Sequence, residues 1–261
     1  MTSGDAPHVL VTDDGPVRTL TLNRPATRNA LSLTMLDALG DALDDVMRSP
    51  AIRVVVITGD GPAFSAGHDL RELHGSDDPT LHRRIFTTCS TVMQQVASLP
   101  RPVIAKVAGV ATAAGCQLVA TCDLAIAGES ARFATPGVDI GLFCSTPAVA
   151  VSRALAPKHT MQLLLTGELI SAADAFRMGL VNDVVADDEL DAAVTRLAVH
   201  IASRSPTVIA AGKAAYRRQL GLSLTDAYEV ATTAMVEGLA RPEADEGIAA
   251  FLEKRPPLWP G

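Results

Sequence analysis

The sequence predicts an α/β core that continues into a helical C-terminal region. Continuous apolar runs of strand length, RVVVITG at residues 53–59 and PVIAKV at residues 102–107, are typical of strands covered on both faces. Segments with helical periodicity separate these runs, and after about residue 143 nearly every segment has a helical pattern. A chain of 261 residues, 48% of them hydrophobic, can bury one large core.

The first half of the chain is predicted to alternate strands and helices. Residues 17–24, VRTLTLNR, alternate apolar and polar side chains as a half-buried strand does. Ser32 can cap the next helix, because its hydroxyl can accept an N–H group of the first turn. A second helix is expected over residues 80–99, ended by Pro100 and Pro102. The apolar face of the first helix is predicted to hold Leu33, Met35, Leu36, Leu39, Leu43, Val46 and Met47.

The second half begins with a short helix near residue 114 and two strands, predicted over residues 123–127 and 131–134. Helices then follow one another, and glycines or prolines separate them. The change from the core to the helical region is predicted near residues 195–205. The helices are expected over residues 147–156, 158–165, 171–178, 187–203, 206–220, 223–239 and 243–253.

Charge and cysteine content argue against several classes of protein. A net charge of -7 does not suit general nucleic-acid binding, which needs a basic surface. No apolar stretch reaches the length of a membrane span, and MTSGDAPHVL has no basic region followed by an apolar run. The four cysteines show no C-x-x-C spacing and no histidine pair accompanies them, so no metal site is expected. The expectation is a reduced, cytoplasmic, metal-free protein.

Two glycine-containing loops follow two of the predicted buried strands. GDGPAFSAGHDLREL follows the strand that ends near residue 58, and AGVATAAGCQL follows the strand that ends near residue 107. Small residues let a ligand approach the backbone, and free N–H groups at a helix start can bind developing negative charge. Two such N–H groups from separate loops would form an oxyanion hole.

Five motifs in order along the chain resemble the enoyl-CoA hydratase/isomerase (crotonase) superfamily. They are NRPATRNALS, FSAGHDL, AGCQLVATCDLAIA, FATPGVDIGLF and LLLTGELISAADAFRMGLVNDVV, and they span nearly the whole chain. The resemblance implies an α/β crotonase (ClpP-like) spiral of repeated ββα units over residues 1–200 and a helical trimerisation region over residues 201–261. It also implies a homotrimer or a dimer of trimers that takes part in fatty acid metabolism. Such a protein binds an acyl-CoA thioester as ligand or substrate and needs no resident cofactor.

The resemblance assigns individual residues as well. The backbone N–H groups of His68 and Ala114 match the two oxyanion-hole donors, although Ala114 stands where the family usually has glycine. A backbone donor survives that exchange when φ is negative. The positions that hold CoA include two C-terminal ones, which in the family often reach across a subunit boundary. These positions correspond to Arg28, Asn29, Ala30, Ala66, His68, Leu70, Phe251 and Lys254.

Two positions depart from the pattern of the family's hydratases. Those enzymes carry one glutamate at the position of Gln117 and another at the position of Gly137, and the pair acts as acid and base. A carboxamide has no usable proton near neutral pH, and glycine has no side chain. Losing one positioned acid–base group costs about 10²–10⁴-fold in rate. Efficient hydration by the family's mechanism is therefore not expected.

Other residues could supply the missing chemistry. Asp139 is the nearest carboxylate to Gly137, and the ring of His68 is a second candidate. Cys144 would need a lowered thiol pKa and a base in order to act as a nucleophile. Asp123, before the predicted strand LAIA, is expected to be a buried, hydrogen-bonded structural carboxylate.

Three functional hypotheses stay open on the sequence alone. The first is an enzyme that uses the oxyanion hole for isomerisation, decarboxylation or thioester hydrolysis, which share the need to stabilise an oxyanion. The second is a non-catalytic acyl-CoA-binding protein. The third is a scaffold whose CoA site has also been lost, and the retained FSAGHDL loop and Lys254 argue against it.

Overall fold

The computed structural model describes residues 6–260, which form two β-sheets surrounded by helices. The strands are β1 Val9–Asp14, β2 Val17–Leu22, β3 Val54–Gly59, β4 Ala63–Ser65, β5 Val103–Val107, β6 Val110–Thr112, β7 Leu124–Gly128, β8 Arg132–Ala134, β9 Ile170–Ser171 and β10 Asp183–Val185. The helices are α1 Leu33–Arg48, α2 Leu70–His74, α3 Pro79–Ser98, α4 Ala114–Thr121, α5 Ser145–Ala154, α6 Pro157–Thr166, α7 Ala172–Met178, α8 Leu190–Ala202, α9 Pro206–Gln219, α10 Leu224–Leu239 and α11 Pro242–Leu252.

The larger sheet has six strands in the order β1-β2-β3-β5-β7-β10. Strands β1 and β2 are antiparallel, and the other neighbours are parallel. Strand β3 is buried on both faces, as its continuous apolar run predicts. Val55 and Ile57 belong to the main core with α1 and α3, whereas Val54 and Val56 pack with α8 on the opposite face.

The smaller sheet, β4-β6-β8-β9, was largely missed by the sequence analysis. Its strands are only two or three residues long, too short for an alternating pattern to be recognised. This sheet positions the candidate site, because β4 leads into the loop at residues 65–70 and β6 leads into α4. The α/β class and the crotonase fold predicted from the sequence are confirmed by the structure and by the solved structures compared below.

Helix α1 shows how a cap and an apolar stripe fix one element. Ser32 accepts the N–H of Met35 at 3.2 Å, as predicted. Val46 is fully buried, whereas Met47, predicted on the same face, is 56% exposed. The assignment of Met47 was wrong because consecutive helical residues lie about 100° apart around the axis.

The C-terminal helices have little core of their own. Helix α8 packs on the larger sheet, but α9 and α10 contain no residue classed as buried. Several large apolar side chains there are exposed, including Leu224 at 76% and Tyr228 at 67%. The predicted boundary at residues 200/201 falls in the last turn of α8, and the trimerisation role of residues 201–261 stays a prediction. Among residues 6–260, no helix is long and apolar enough to cross a bilayer.

Candidate functional site

The two glycine-containing loops meet at the start of α4. Gly67 has φ +89°, and a Cβ built on it would lie 2.8 Å from the Ala113 Cβ and 3.1 Å from the Ala114 nitrogen. The Thr112 hydroxyl donates to the Ala66 carbonyl at 3.1 Å and holds the loops together. Only glycine fits between the loops at position 67, because a side chain would enter the space of Ala113. The sequence predicted two separate loops, and the fold brings them into contact.

The predicted donor N–H groups lie on either side of this contact. Ala114 is the first residue of α4, where a helix leaves N–H groups without an intrahelical acceptor. His68 directly follows Gly67 in the facing loop. Neither N–H group donates to a backbone or side-chain acceptor within residues 6–260. The N-terminal dipole of α4 adds partial positive charge at this point.

The three small residues before Gln117 have different backbone roles. Ala114 does not have positive φ, so its exchange for the family's glycine keeps a helical N–H. Ala113 instead has φ 49° and ψ -116°, an unusual conformation for a residue with a side chain. Such strain costs about 1–3 kcal/mol. A Cβ on Gly115 would lie 2.3 Å from the Ser65 carbonyl oxygen, so glycine there allows α4 to approach β4 closely.

The His68 side chain is held in an apolar environment. Its ring lies 5.0 Å from the Phe86 ring, edge to face. Its Nε2 atom is buried and has no hydrogen-bond partner among the described residues. Burial lowers the pKa of His68 to about 4, so the imidazole is neutral near pH 7. Phe86 was not identified from the sequence, since nothing in its helical pattern marks it as a site residue.

Gln117 lies one turn into α4 and is 4% exposed. Its backbone N–H donates to the Ala113 carbonyl at 3.0 Å, as expected for the first full helical bond. Its side-chain oxygen Oε1 is buried without a hydrogen-bond partner in the described part of the chain. A buried amide oxygen without a donor is costly, so this position is suited to a polar group of a ligand or a water molecule.

No carboxylate can replace Gly137 without a local rearrangement. A Cβ built there would lie 2.4 Å from the Leu142 carbonyl oxygen and 2.8 Å from the Cys144 sulfur. The Gly137 N–H donates to that sulfur at 3.3 Å. Burial raises the pKa of the Cys144 thiol, so it stays protonated at neutral pH. Cys144 thus fills the space beside Gly137, a role that sequence spacing could not reveal.

Asp139 lies in an exposed position at the end of α6. A Cβ built on Gly167 would lie 3.1 Å from both of its carboxylate oxygens. Asp123 is largely buried and hydrogen-bonded, as the sequence suggested. It accepts the Val103 N–H at 2.8 Å and pairs with Lys213 and Arg217. Asp123 therefore ties α9 to the core.

The predicted N-terminal CoA positions lie in two loops that bond to each other. Ala66 donates to the Arg28 carbonyl at 2.9 Å, and Leu31 donates to the Gly67 carbonyl at 2.7 Å. Asn29 is fully buried, and its side-chain amide donates to the carbonyls of Asp60 and Ala63. The Asn29 side chain therefore supports the loop from inside. The loop's outer rim is formed by exposed Arg28, half-buried Ala30 and exposed Leu70.

The two C-terminal positions lie in or just beyond α11. Phe251 is 82% exposed on that helix, and Lys254 follows it with φ 56°. Helix α11 packs on α10, while the Trp259 indole donates to the Ser203 carbonyl at 2.8 Å. Among residues 6–260, no group of three or more histidine, cysteine or acidic side chains is arranged to hold a metal ion.

Comparisons with known proteins agree with the motifs. The sequence model of the Enoyl-CoA hydratase/isomerase family matches residues 13–261. A rat protein, "Enoyl-CoA hydratase domain-containing protein 3, mitochondrial", is 48% identical over 243 residues, which are 93% of this chain and 81% of that protein. The expectation of a cytoplasmic location is contradicted, because this relative and its human counterpart are named as mitochondrial proteins.

Solved structures give the same result. The crystal structure of human enoyl Coenzyme A hydratase domain-containing protein 3 superposes with a TM-score of 0.94 at 45% identity, covering 97% of this chain and 100% of that chain. An enoyl-CoA hydratase structure from Mycobacterium smegmatis gives a TM-score of 0.95 at 46% identity, covering 97% of this chain and 99% of that one.

Proposed function

Because the chain belongs to the enoyl-CoA hydratase/isomerase family, we propose that it binds an acyl-CoA thioester where the loop at residues 65–70 meets α4. The thioester oxygen accepts the backbone N–H groups of His68 and Ala114. The observation that supports this proposal is the close approach of Gly67 to Ala113 and to the Ala114 nitrogen, because His68 directly follows Gly67 and Ala114 is the first residue of α4.

Hydration of an enoyl group is proposed to be inefficient. Gln117 offers a neutral carboxamide, and no side chain fits at Gly137. Asp139 is exposed and lies against Gly167, so no carboxylate among the matched positions takes over. Losing two positioned acid–base groups removes the pair that would move protons between water and the substrate carbon.

A second candidate function is a different enolate-stabilising reaction, and the ring of His68 favours it. Its Nε2 atom is buried on a neutral imidazole and has no hydrogen-bond partner among the described residues, so it is available to a bound acyl group as a hydrogen-bond donor or acceptor. Isomerisation, decarboxylation and thioester hydrolysis all use an oxyanion hole. A protein that only binds the thioester would show none of these reactions.

The CoA moiety is proposed to lie along the rim formed by Arg28, Ala30 and Leu70. Phe251 and Lys254 would reach it from a neighbouring subunit of a trimer or a dimer of trimers. The exposed apolar side chains of α9–α11 support an assembly, since large apolar surfaces on a single chain usually mark interfaces.

The test is the infrared carbonyl stretch of crotonyl-CoA labelled with ¹³C at the thioester carbon. Two N–H donors polarise the carbonyl, so binding is expected to move the band to lower frequency. The expected companion result is a higher melting temperature with CoA alone, because a ligand that binds only the native state stabilises it. An unshifted band at saturating ligand would contradict the oxyanion hole, and an unchanged melting temperature would contradict the CoA site.

A further inference from the structure

Two surface grooves lie along α3, near the proposed thioester site. Phe86, Ser90 and Gln94 are spaced four residues apart, so they lie on one face of the helix. They line a surface groove of about 520 Å³, and Phe86 contacts the His68 ring. Ser90 and Gln94 also line a second groove of about 660 Å³, which is lined by Gln117 as well. The two grooves therefore share Ser90 and Gln94, and each has a lining residue at the site, Phe86 in the first groove and Gln117 in the second.

Part of the second groove is apolar. It runs between α3, α4 and α5, and its lining includes Met93, Ala97, Ala120, Val149 and Leu180. Such a lining suits a hydrocarbon chain. Ala114 and Asp123 are separated by α4 and its C-terminal cap. The rise per residue of a helix and of extended chain gives a separation of roughly 15 Å. A chain of medium length spans that distance.

The far end of the second groove is basic. Arg153 and Arg217 line it, together with Asp123. Arg217 and Lys213 share Asp123 as their carboxylate partner. Arg153 forms no ion pair among the described residues, and its guanidinium donates to the Val149 carbonyl at 2.7 Å. This basic end thus holds three cations and one carboxylate.

The charges at the basic end do not balance. Subtracting the single carboxylate from three cations leaves two positive charges. The last residues of α4 and α5, Thr121 and Ala154, also line the groove, and each helix end contributes about half a negative charge. Roughly one positive charge remains, which matches one monoanionic group.

We infer, on the basis of the proposed acyl-CoA site, that the preferred acyl chain ends in a carboxylate held by Arg153 and Arg217. The substrate class is an ω-carboxyacyl thioester of medium chain length. An arginine pair suits this task because guanidinium groups donate two parallel hydrogen bonds to a carboxylate. The apolar part of the groove holds the methylene chain between the thioester and this end.

Isothermal titration of the full chain with dodecanedioyl-CoA and dodecanoyl-CoA tests the inference. The carboxylate-terminated thioester is expected to bind about tenfold more tightly, a difference of about 1.4 kcal/mol. Arg153→Gln and Arg217→Gln should each reduce this ratio toward one without weakening dodecanoyl-CoA. Arg153 makes only a backbone contact, so its variant should fold. Arg177→Gln, on an exposed arginine of α7, is the matched control and should keep the ratio.

Two results would overturn the inference. One is equal affinity for the two thioesters. The other is an affinity ratio that is unchanged in both arginine variants. If free CoA and both thioesters bind but no preference appears, the acyl-CoA site stands and only the carboxylate end fails. If free CoA and both thioesters fail to bind, the proposed function and the inference fail together.

Discussion

Replacing His68 by glutamine should make the protein less sensitive to acid. The folded pKa of about 4 lies below the ordinary value of 6.5, so the unfolded chain binds more protons between these two values. The neutral ring therefore contributes stability that is present above pH 6.5 and is lost as the pH falls from 6.5 toward 4. The full difference between the two pKa values corresponds to roughly 3 kcal/mol of unfolding free energy, of which about 2 kcal/mol is lost by about pH 5.

Urea unfolding near pH 7.5 and near pH 5 measures this effect. The wild type should lose about 2 kcal/mol more than His68→Gln between the two conditions. Lost packing against Phe86 lowers the stability of the variant at both pH values, so it cancels in the comparison. His200→Gln is the matched control, since His200 is an exposed histidine of α8. Equal acid sensitivity in the wild type and His68→Gln would refute the burial of a neutral ring.

Three further substitutions test the backbone and the site. Gly137→Ala should lower the free energy of unfolding by more than about 2 kcal/mol, whereas Gly212→Ala, in open space on α9, should raise it by about 0.5–1 kcal/mol. Equal denaturant midpoints for the two variants would contradict this. Ala113→Gly should raise the melting temperature by relieving positive φ. Ala120→Gly in the adjoining helix α4 should lower it, because glycine inside a helix costs about 1 kcal/mol of stability; the opposite order would mean no strain at Ala113. Gln117→Glu should raise hydration of crotonyl-CoA at least about tenfold, while exposed Gln162→Glu should not; no gain in a folded Gln117→Glu protein would mean that the pocket has diverged further.

Much of the fold could be predicted from patterns that are local in sequence. The run at residues 53–59 is long, apolar and ended by glycine, and it forms a buried strand with helices on both faces. Most C-terminal helices begin and end within about two residues of their predicted bounds, because prolines and glycines mark their ends. The second sheet was not predictable in this way, since its strands are stabilised by neighbours distant in sequence and not by a local pattern.

The sequence predicted which residues form the candidate site better than it predicted the contacts between them. The motifs identified His68 and Ala114, but only the fold shows that Gly67 brings their loops together. The sequence shows that Gly137 lacks a carboxylate, whereas the contact with Cys144 shows that there is no room for one. Asn29 matched a ligand-binding segment, yet its side chain faces inward, because backbone direction in a loop cannot be deduced from residue type.

The decisive measurement is loss of enoyl-thioester absorbance when concentrated protein is mixed with crotonyl-CoA and with a longer enoyl-CoA. Both thioesters are expected to bind and to raise the melting temperature. Their absorbance is expected to fall far more slowly than the roughly 1–10³ turnovers per second of ordinary enzymes. Turnover within that range would contradict the roles given to Gln117 and Gly137, and would show that another residue performs the acid–base chemistry.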